Sequence, residues 1–470
     1  MHSIPGDAGK RAMRLFLAMS AAWAAVIILF TFVADPFLVY HRPTWYQPTF
    51  YSQERYMNQG LVRQFEYDTI IIGTSMTQNF RPSQVNEATG GKVVKLSISG
   101  STADEHYYTA KLALETGKVK RVIWGLDYFS LKFRAENPDF PAYLYDDAYW
   151  NDYRYWFNYT VFKHFARGIQ RTFAGAKPQN IDLLNNWERQ VTFDRERAIA
   201  AYRIAKRQEV GYGSNEEPLP LIKDNFNRYI LSLVQRYPEV DFFFYYPPYS
   251  ILRQNVWYEL NPIRFANQLA MRKYMFERFS AYPNTAVFDF QTETAWTHDL
   301  SGYSDLSHHR GEWNEKIAEA IGRNDPRYRV EAGDIDVLNA KLEHEARTAV
   351  LDQFGNVVHA EMIIQDKSAL FSDKLVVGDE VFVPVRELAE ALGAELVWRQ
   401  EDFRAELRLN GRTVIWNLRP SASGTERRQS ADAPRFIDGR AMVPVRKSAD
   451  MLGLRENLHR GNGEIVIIIS

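Results

Sequence analysis

The stretch Tyr67-Asp68-Thr69-Ile70-Ile71-Ile72-Gly73-Thr74-Ser75 decides the fold of the larger part of this chain. Three consecutive isoleucines lack the alternation of a strand with one wet face, so the run reads as a short strand buried on both sides. Gly73 closes it, and the chain then turns into the polar run Met76-Thr77-Gln78-Asn79. Strands of this kind belong to parallel sheets covered by helices, and open sheets bind ligands at the carboxyl ends of their strands. Ser75 stands at such an end, where a hydroxyl can be exposed and the amides of the next turn can face an oxyanion. The nucleophile elbow Gly-x-Ser-x-Gly is not matched, because Thr77 occupies the place of the last glycine. By itself a Gly-Thr-Ser turn is structural more often than it is catalytic.

The same rhythm continues on either side. Residues 92–98 (KVVKLSI) form a second apolar run ending at Ser99-Gly100, and residues 102–116 have a helical pattern. Residues 121–126 (RVIWGL), 240–246 (VDFFFYY) and 285–290 (TAVFDF) read as further strands, with helices over 221–237 and 263–282. Strands alternating with helices predict an α/β fold, a parallel sheet with helices on both faces. Residues 138–215 interrupt this order as an insertion of helical character. It is rich in Tyr143, Tyr145, Tyr149, Trp150, Tyr153, Tyr155, Trp156, Phe157 and Tyr159 among polar residues. Such rings stack on sugar faces or rest at a membrane interface. The plainer reading is an aromatic face packed on the core.

Asp305-Leu306-Ser307-His308 precedes an amphipathic helix expected over 312–321. A serine nucleophile needs a base, and the base needs an acceptor that fixes its tautomer. A carboxylate three residues before a histidine on a tight loop can bond one ring nitrogen while the other faces the serine. The plainer alternative is that Asp305 or Ser307 caps the helix and the histidines are solvated. His309 is a second candidate for the base.

The N-terminus sets the compartment. Residues 15–33 (LFLAMSAAWAAVIILFTFV) carry no charge, and their length suits a hydrocarbon layer of ~30 Å. Lys10, Arg11 and Arg14 precede them, which places the tail in the cytoplasm and the rest of the chain outside. A signal peptide cleaved near Phe32-Val33-Ala34 competes, but the run exceeds the usual signal core of about 7–15 residues. A retained anchor is the expectation, giving a single-pass membrane protein whose bulk is extracytoplasmic. There are no cysteines, which excludes disulfides, thiolate metal sites and a cysteine nucleophile. The net charge of −1 gives no electrostatic basis for nucleic-acid binding.

Four segments are therefore expected: 1–34 (tail and anchor), 35–323 (catalytic-type domain), 324–349 (polar linker) and 350–470 (a second unit). The last contains an internal repeat. Phe382-Val383-Pro384-Val385-Arg386 continues to Ala389 and Leu392-Gly393, and sixty residues on Met442-Val443-Pro444-Val445-Arg446 continues to Ala449 and Leu452-Gly453. Each copy reads as a short strand entering a helix capped by glycine, which predicts a small α+β module. The repeat resembles the copper amine oxidase N-terminal-like, or stalk, domain of bacterial surface proteins. Copper does not follow from the name, since this stretch holds only His359 and His459, unclustered in sequence.

A serine after the first strand, a glycine after the second and Asp-x-x-His near the end of the domain resemble the SGNH/GDSL hydrolase superfamily, over roughly residues 65–322. The resemblance implies a flavodoxin-like three-layer α/β/α domain with Ser75 as nucleophile, His308 as general base and Asp305 as its orienter. The amides of Ser75 and Gly100 would form part of an oxyanion hole. Two departures stand out: Gly-Asp-Ser-Leu reads Gly73-Thr74-Ser75-Met76, and Asp127 occupies about the place of a third-strand asparagine that donates to the oxyanion. An ionised Asp127 cannot donate, so Asn79 or an insertion side chain is the candidate replacement. Such drift is similar to the membrane-anchored subgroup that handles acyl groups on envelope polymers, as in teichoic-acid D-alanylation and alginate O-acetylation. It implies a serine-dependent O-acyl esterase or acyltransferase without a cofactor, acting on an envelope glycan or glycopolymer through an acyl-enzyme. The implied partners are an envelope polysaccharide or small acyl ester and, as donor, a membrane-bound acyltransferase. Two alternatives stand beside it. One is a non-catalytic envelope scaffold or glycan-binding protein on the same fold. The other is a metal-dependent phosphatase or deacetylase using His298, Asp299, Asp305, His308 and His309, a set without recognised ligand spacing.

Overall fold

Five short strands make one parallel sheet: β1 (Thr69–Ile72), β2 (Val93–Lys95), β3 (Arg121–Gly125), β4 (Asp241–Tyr246) and β5 (Thr285–Asp289). A computed structural model describes the chain apart from residues 1–5, 51–52, 133–136, 138, 209–217, 419–432, 438 and 462. Each of the five apolar runs contains one of these strands. Their order is β2-β1-β3-β4-β5, with every neighbouring pair parallel. In this doubly wound order the winding reverses between β1 and β3, so the carboxyl ends of those two strands flank a crevice.

Strand residues point alternately to two cores, which explains the unbroken apolar runs. Ile70, Ile72, Val122, Trp124, Phe242 and Phe244 join one core, covered by Met57 and Leu61 of helix Glu54–Gln64, Ala110 and Ala113 of Ala103–Glu115, and Met271, Met275 and Phe279 of Pro262–Phe279. Ile71, Ile123, Tyr245 and Phe288 join the other, covered by Val85 of helix Pro82–Thr89, Leu252 and Val256 of Ile251–Leu260, and Ile317 and Ile321 of Gly311–Gly322. The domain is thus a sheet between two helical layers.

The polar stretch 324–349 differs from its reading as a linker. Asp334–Thr348 is a helix, and its Leu342 and Ala346 pack with Ile251, Trp257 and Phe265. Charged residues on the outer face conceal the sparse apolar spacing of Ile335, Leu338, Leu342 and Ala346. The helix leads directly into strand Ala349–Asp352, leaving no gap before the second unit.

The N-terminal helix, Gly6–Ala34, is long and apolar enough over residues 9–34 to cross a membrane. The connector that follows is part of the core: Phe37 and Leu38 are fully buried. Asp35 accepts hydrogen bonds from the amides of Val39, Tyr40 and His41 and from the Tyr155 hydroxyl.

The insertion is helical over Tyr153–Trp156, Tyr159–Phe173 and Arg195–Gln208. Its rings divide between roles. Tyr145 and Tyr155 are buried, whereas Trp150, Tyr153, Phe157 and Tyr159 are exposed. Both ends of the expected span, and the side chain of Tyr149, lie outside the described residues.

In the C-terminal unit, strand Glu380–Pro384 enters helix Val385–Leu392, and strand Arg440–Pro444 enters helix Val445–Leu452. Gly393 and Gly453 cap the helices with φ of 70° and 76°, a backbone state that glycine reaches without strain. The two repeat strands pair antiparallel, Val383 opposite Val443, so the duplicated motifs meet across a local two-fold.

Candidate active site

Ser75 begins a single 3-10 turn, Ser75–Thr77, directly after β1. The turn is locked by Thr77, whose hydroxyl donates to the Thr74 carbonyl at 2.8 Å and bonds Ser97 Oγ at 2.6 Å. Its methyl lies between two glycines. A Cβ on Gly73 would stand 2.5 Å from Thr77 Cγ2, and one on Gly125 2.8 Å from it, so both positions admit only glycine without displacement. The threonine that breaks the elbow pattern is therefore what fixes this turn.

The loop 305–308 is shaped by one carboxylate. Asp305 Oδ1 accepts the amides of Ser307 (2.7 Å) and His308 (2.9 Å), and Oδ2 accepts from His308 Nδ1 at 2.7 Å. Ser250 fastens the loop from outside by donating its hydroxyl to the Leu306 carbonyl at 2.7 Å. His308 Nε2 lies 2.9 Å from Ser75 Oγ, across 233 positions of sequence. With Nδ1–H directed at the carboxylate, the Nε2 lone pair is free to accept the serine proton.

The electrostatics follow from these contacts. Burial pushes the Asp305 carboxyl up, but the hydrogen bond and charge of His308, with the two amides, outweigh it and hold the group at about 2. For His308 burial opposes the charged form. The Asp305 hydrogen bond and charge, aided by Asp127, outweigh burial and raise the imidazole above its ordinary value.

Gly100 follows β2, whose extension is tied to the serine turn by the Ile98 amide donating to the Gly73 carbonyl at 2.9 Å. Gly100 is exposed and left-handed, with φ of 59°. Among the described residues neither its amide nor that of Ser75 donates to another group.

The other expected oxyanion groups have different tasks. Asn79 is buried, and its Oδ1 accepts the amides of Trp187 (3.2 Å) and Glu188 (3.3 Å). Its Nδ2 is sealed from solvent without a partner among the described residues, so a substrate oxygen cannot reach it in this conformation. Asp127 is also buried and accepts from the hydroxyls of Thr74 and Tyr249. Burial pushes its carboxyl up, and those two hydroxyls pull it back. Its position supports Thr74, the residue preceding Ser75.

Asn79 holds Trp187, a residue of the insertion that the sequence did not single out. Trp187 Nε1 donates to the Ser75 carbonyl at 3.0 Å, and its ring meets the His308 ring edge-on at 5.1 Å. Glu188 Oε1 accepts the Gly311 amide at 3.0 Å, fastening the loop to the helix that follows His308. A lone tryptophan in a polar segment gives no sequence signal for this role.

The remaining histidines separate from the site. His309 is buried against Trp313 at 5.6 Å, and burial lowers its imidazole to about 4. His298 pairs with His359 of the C-terminal unit, Nε2 to Nε2 at 2.9 Å, and Asp299 accepts from Ser301. The set His298, Asp299, Asp305, His308 and His309 is therefore not one ligand cluster. Elsewhere, ligand atoms of His344, Glu361 and Glu464 lie within 4.8 Å of one another. Arg347 bonds both His344 and Glu361, so a cationic side chain already serves that group and copper is a poor fit.

Because Asp127 helps to raise His308, Asp127→Asn should move the acid limb of any His308-dependent reaction to lower pH. A pH–rate profile of ester cleavage checks this, and an unmoved limb would exclude the charge coupling.

Comparison with known proteins gives a likeness at the level of a solved structure and a family match at the C-terminus. One solved chain from Streptococcus pneumonia, provisionally assigned as a platelet activating factor, is similar at 13% identity and a TM-score of 0.30, covering 66% of this chain and 99% of that one. So low a score carries no argument about this chain. No curated protein matches it. Residues 363–467 match the copper amine oxidase N-terminal domain family, and the C-terminal unit with its paired repeats is a domain of that type.

Proposed function

We propose that this protein is an extracytoplasmic serine-dependent O-acyl esterase or acyltransferase of the SGNH type. In this reading its N-terminal helix is kept as a membrane anchor and its substrate is an acylated envelope glycan or glycopolymer. The observation that supports the chemistry is the relay from Ser75 Oγ to His308 Nε2 (2.9 Å) and from His308 Nδ1 to Asp305 (2.7 Å). His308 takes the Ser75 proton as the hydroxyl attacks an ester carbonyl. The tetrahedral oxyanion is met by the free amides of Ser75 and Gly100. The leaving alcohol departs with the proton from His308, and the acyl group stays on Ser75. Water or a sugar hydroxyl, deprotonated by His308, then takes it.

With Asn79 Nδ2 sealed from solvent and Asp127 bonded by Thr74 and Tyr249, the hole in this reading is left with two donors, both backbone amides. Loss of one donor typically costs about 2.7–4 kcal/mol in such chemistry, so turnover of simple esters should be slow. The test is labelling by a fluorophosphonate, with mass spectrometry locating the adduct. Labelling at Ser75 that vanishes in Ser75→Ala and falls sharply in His308→Ala is expected. A folded wild-type chain that resists the probe and forms no acyl adduct with short-chain esters would leave the fold as a binding scaffold.

A further inference from the structure

Connector and insertion residues grip the N-terminal helix where it enters the fold. The Trp45 indole donates to the Val33 carbonyl (3.3 Å) and the Tyr46 hydroxyl to the Ala34 carbonyl (2.7 Å), satisfying groups that a helix end leaves open. Thr31 Oγ1 donates to the Trp156 carbonyl at 3.2 Å. Phe30 meets Phe162 at 5.9 Å and Phe165 at 5.0 Å. The anchor is therefore continuous with the domain and cannot act as a loose tether.

This junction extends down the helix. A groove between the helix and the insertion is lined by Ala25, Ile28, Leu29, Phe32, Tyr40 and Trp156. Ala25 stands about 14 Å below the helix end at 1.5 Å per residue, which is within one leaflet of a ~30 Å hydrocarbon core. Insertion residues that flank such a groove cannot remain in bulk water if the helix spans the bilayer. Trp150, Tyr153, Phe157 and Tyr159 are exposed amphipathic or apolar rings, the residues that favour the headgroup layer. Exposed Arg154, Lys163 and Arg167 on the same helices suit anionic phosphates.

We propose that insertion helices Tyr153–Trp156 and Tyr159–Phe173 rest in the headgroup layer of the leaflet into which the chain emerges, with that leaflet's acyl chains filling the groove. The catalytic domain is then held at one height and tilt over the bilayer. The inference rests on the reading of the N-terminal helix as a retained anchor.

The absence of cysteine allows a direct test on the full chain in phosphatidylglycerol–phosphatidylethanolamine vesicles. Nitroxide labels are placed singly at Trp23→Cys, Phe157→Cys and Phe354→Cys, and their collision with oxygen and with a water-soluble nickel complex is measured. All three native side chains are exposed. The Trp23 label, about 16 Å below the helix end, should be deep and the Phe354 label freely reached by nickel, while the Phe157 label loses most of its nickel accessibility. A Phe157 label as accessible as that at Phe354, with Trp23 still deep, overturns the docking and leaves the anchor. Nickel reaching Trp23 overturns the anchor itself.

Discussion

Asparagine at position 305 is expected to lower kcat toward short-chain esters by about 10⁴-fold while leaving the fold intact. The carboxylate does two things at once: Oδ1 holds the amides of Ser307 and His308, and Oδ2 receives the proton on His308 Nδ1. An amide oxygen can keep the first task. Its NH2 then faces Nδ1, which must become an acceptor, so Nε2 carries the proton and can no longer take one from Ser75. The pH dependence has a definite sign. If the relay is catalytic, its active form holds neutral His308, whose pKa is raised, so activity should climb through a limb above the ordinary imidazole range. Without the Asp305 charge, burial still disfavours the imidazolium, and the residual limb should move to lower pH. A variant that kept wild-type kcat would show that the Asp305–His308 contact only shapes the loop.

Much of this site was legible because its parts sit just after strands or just before a helix. The isoleucine run, the glycine after the second strand and the Asp-x-x-His loop each have a local physical cause, and alternation of strands with helices set the order in which they meet. What was hidden depends on long-range packing. Trp187 reaches Ser75 and His308 only because Asn79 draws in the backbone of the insertion, and nothing near residue 187 announces that. Asn79 was expected at the oxyanion for its amide donor, and Asp127 was considered there only for its place after the third strand. Burial decides otherwise: Asn79 Nδ2 is sealed from solvent, and Asp127 accepts from Thr74 and Tyr249. The helix Asp334–Thr348 was concealed by its charged face, since apolar residues at four positions suffice to dock it. The repeat was the easiest feature to read, because a duplicated strand–helix–glycine pattern leaves little freedom.

The two halves of the relay come from elements that touch at another place, and Gly322→Val should show it. Helix Pro82–Thr89 follows the serine turn and helix Gly311–Gly322 follows the histidine loop. At their crossing a Cβ on Gly322 would stand 2.2 Å from the Ala88 carbonyl oxygen and 2.8 Å from its carbon, both backbone atoms that cannot turn aside. Gly322 is not among the glycines with positive φ, so the backbone would accept another residue and the close approach alone requires glycine. Around the crossing Val85, Ile317, Ala318 and Ile321 are buried in the same core, and Asn314 Nδ2 donates to the Met76 carbonyl at 3.2 Å. Forcing the helices apart should cost about 1–3 kcal/mol of stability or more and carry His308 away from Ser75. Urea unfolding should show the loss, and fluorophosphonate labelling of the fraction still folded should slow. Lys316→Ala, on the exposed side of the same helix, should stay within about 0.5 kcal/mol of wild type and label normally. Equal stability and labelling in Gly322→Val would mean that the contact does not set the distance between nucleophile and base.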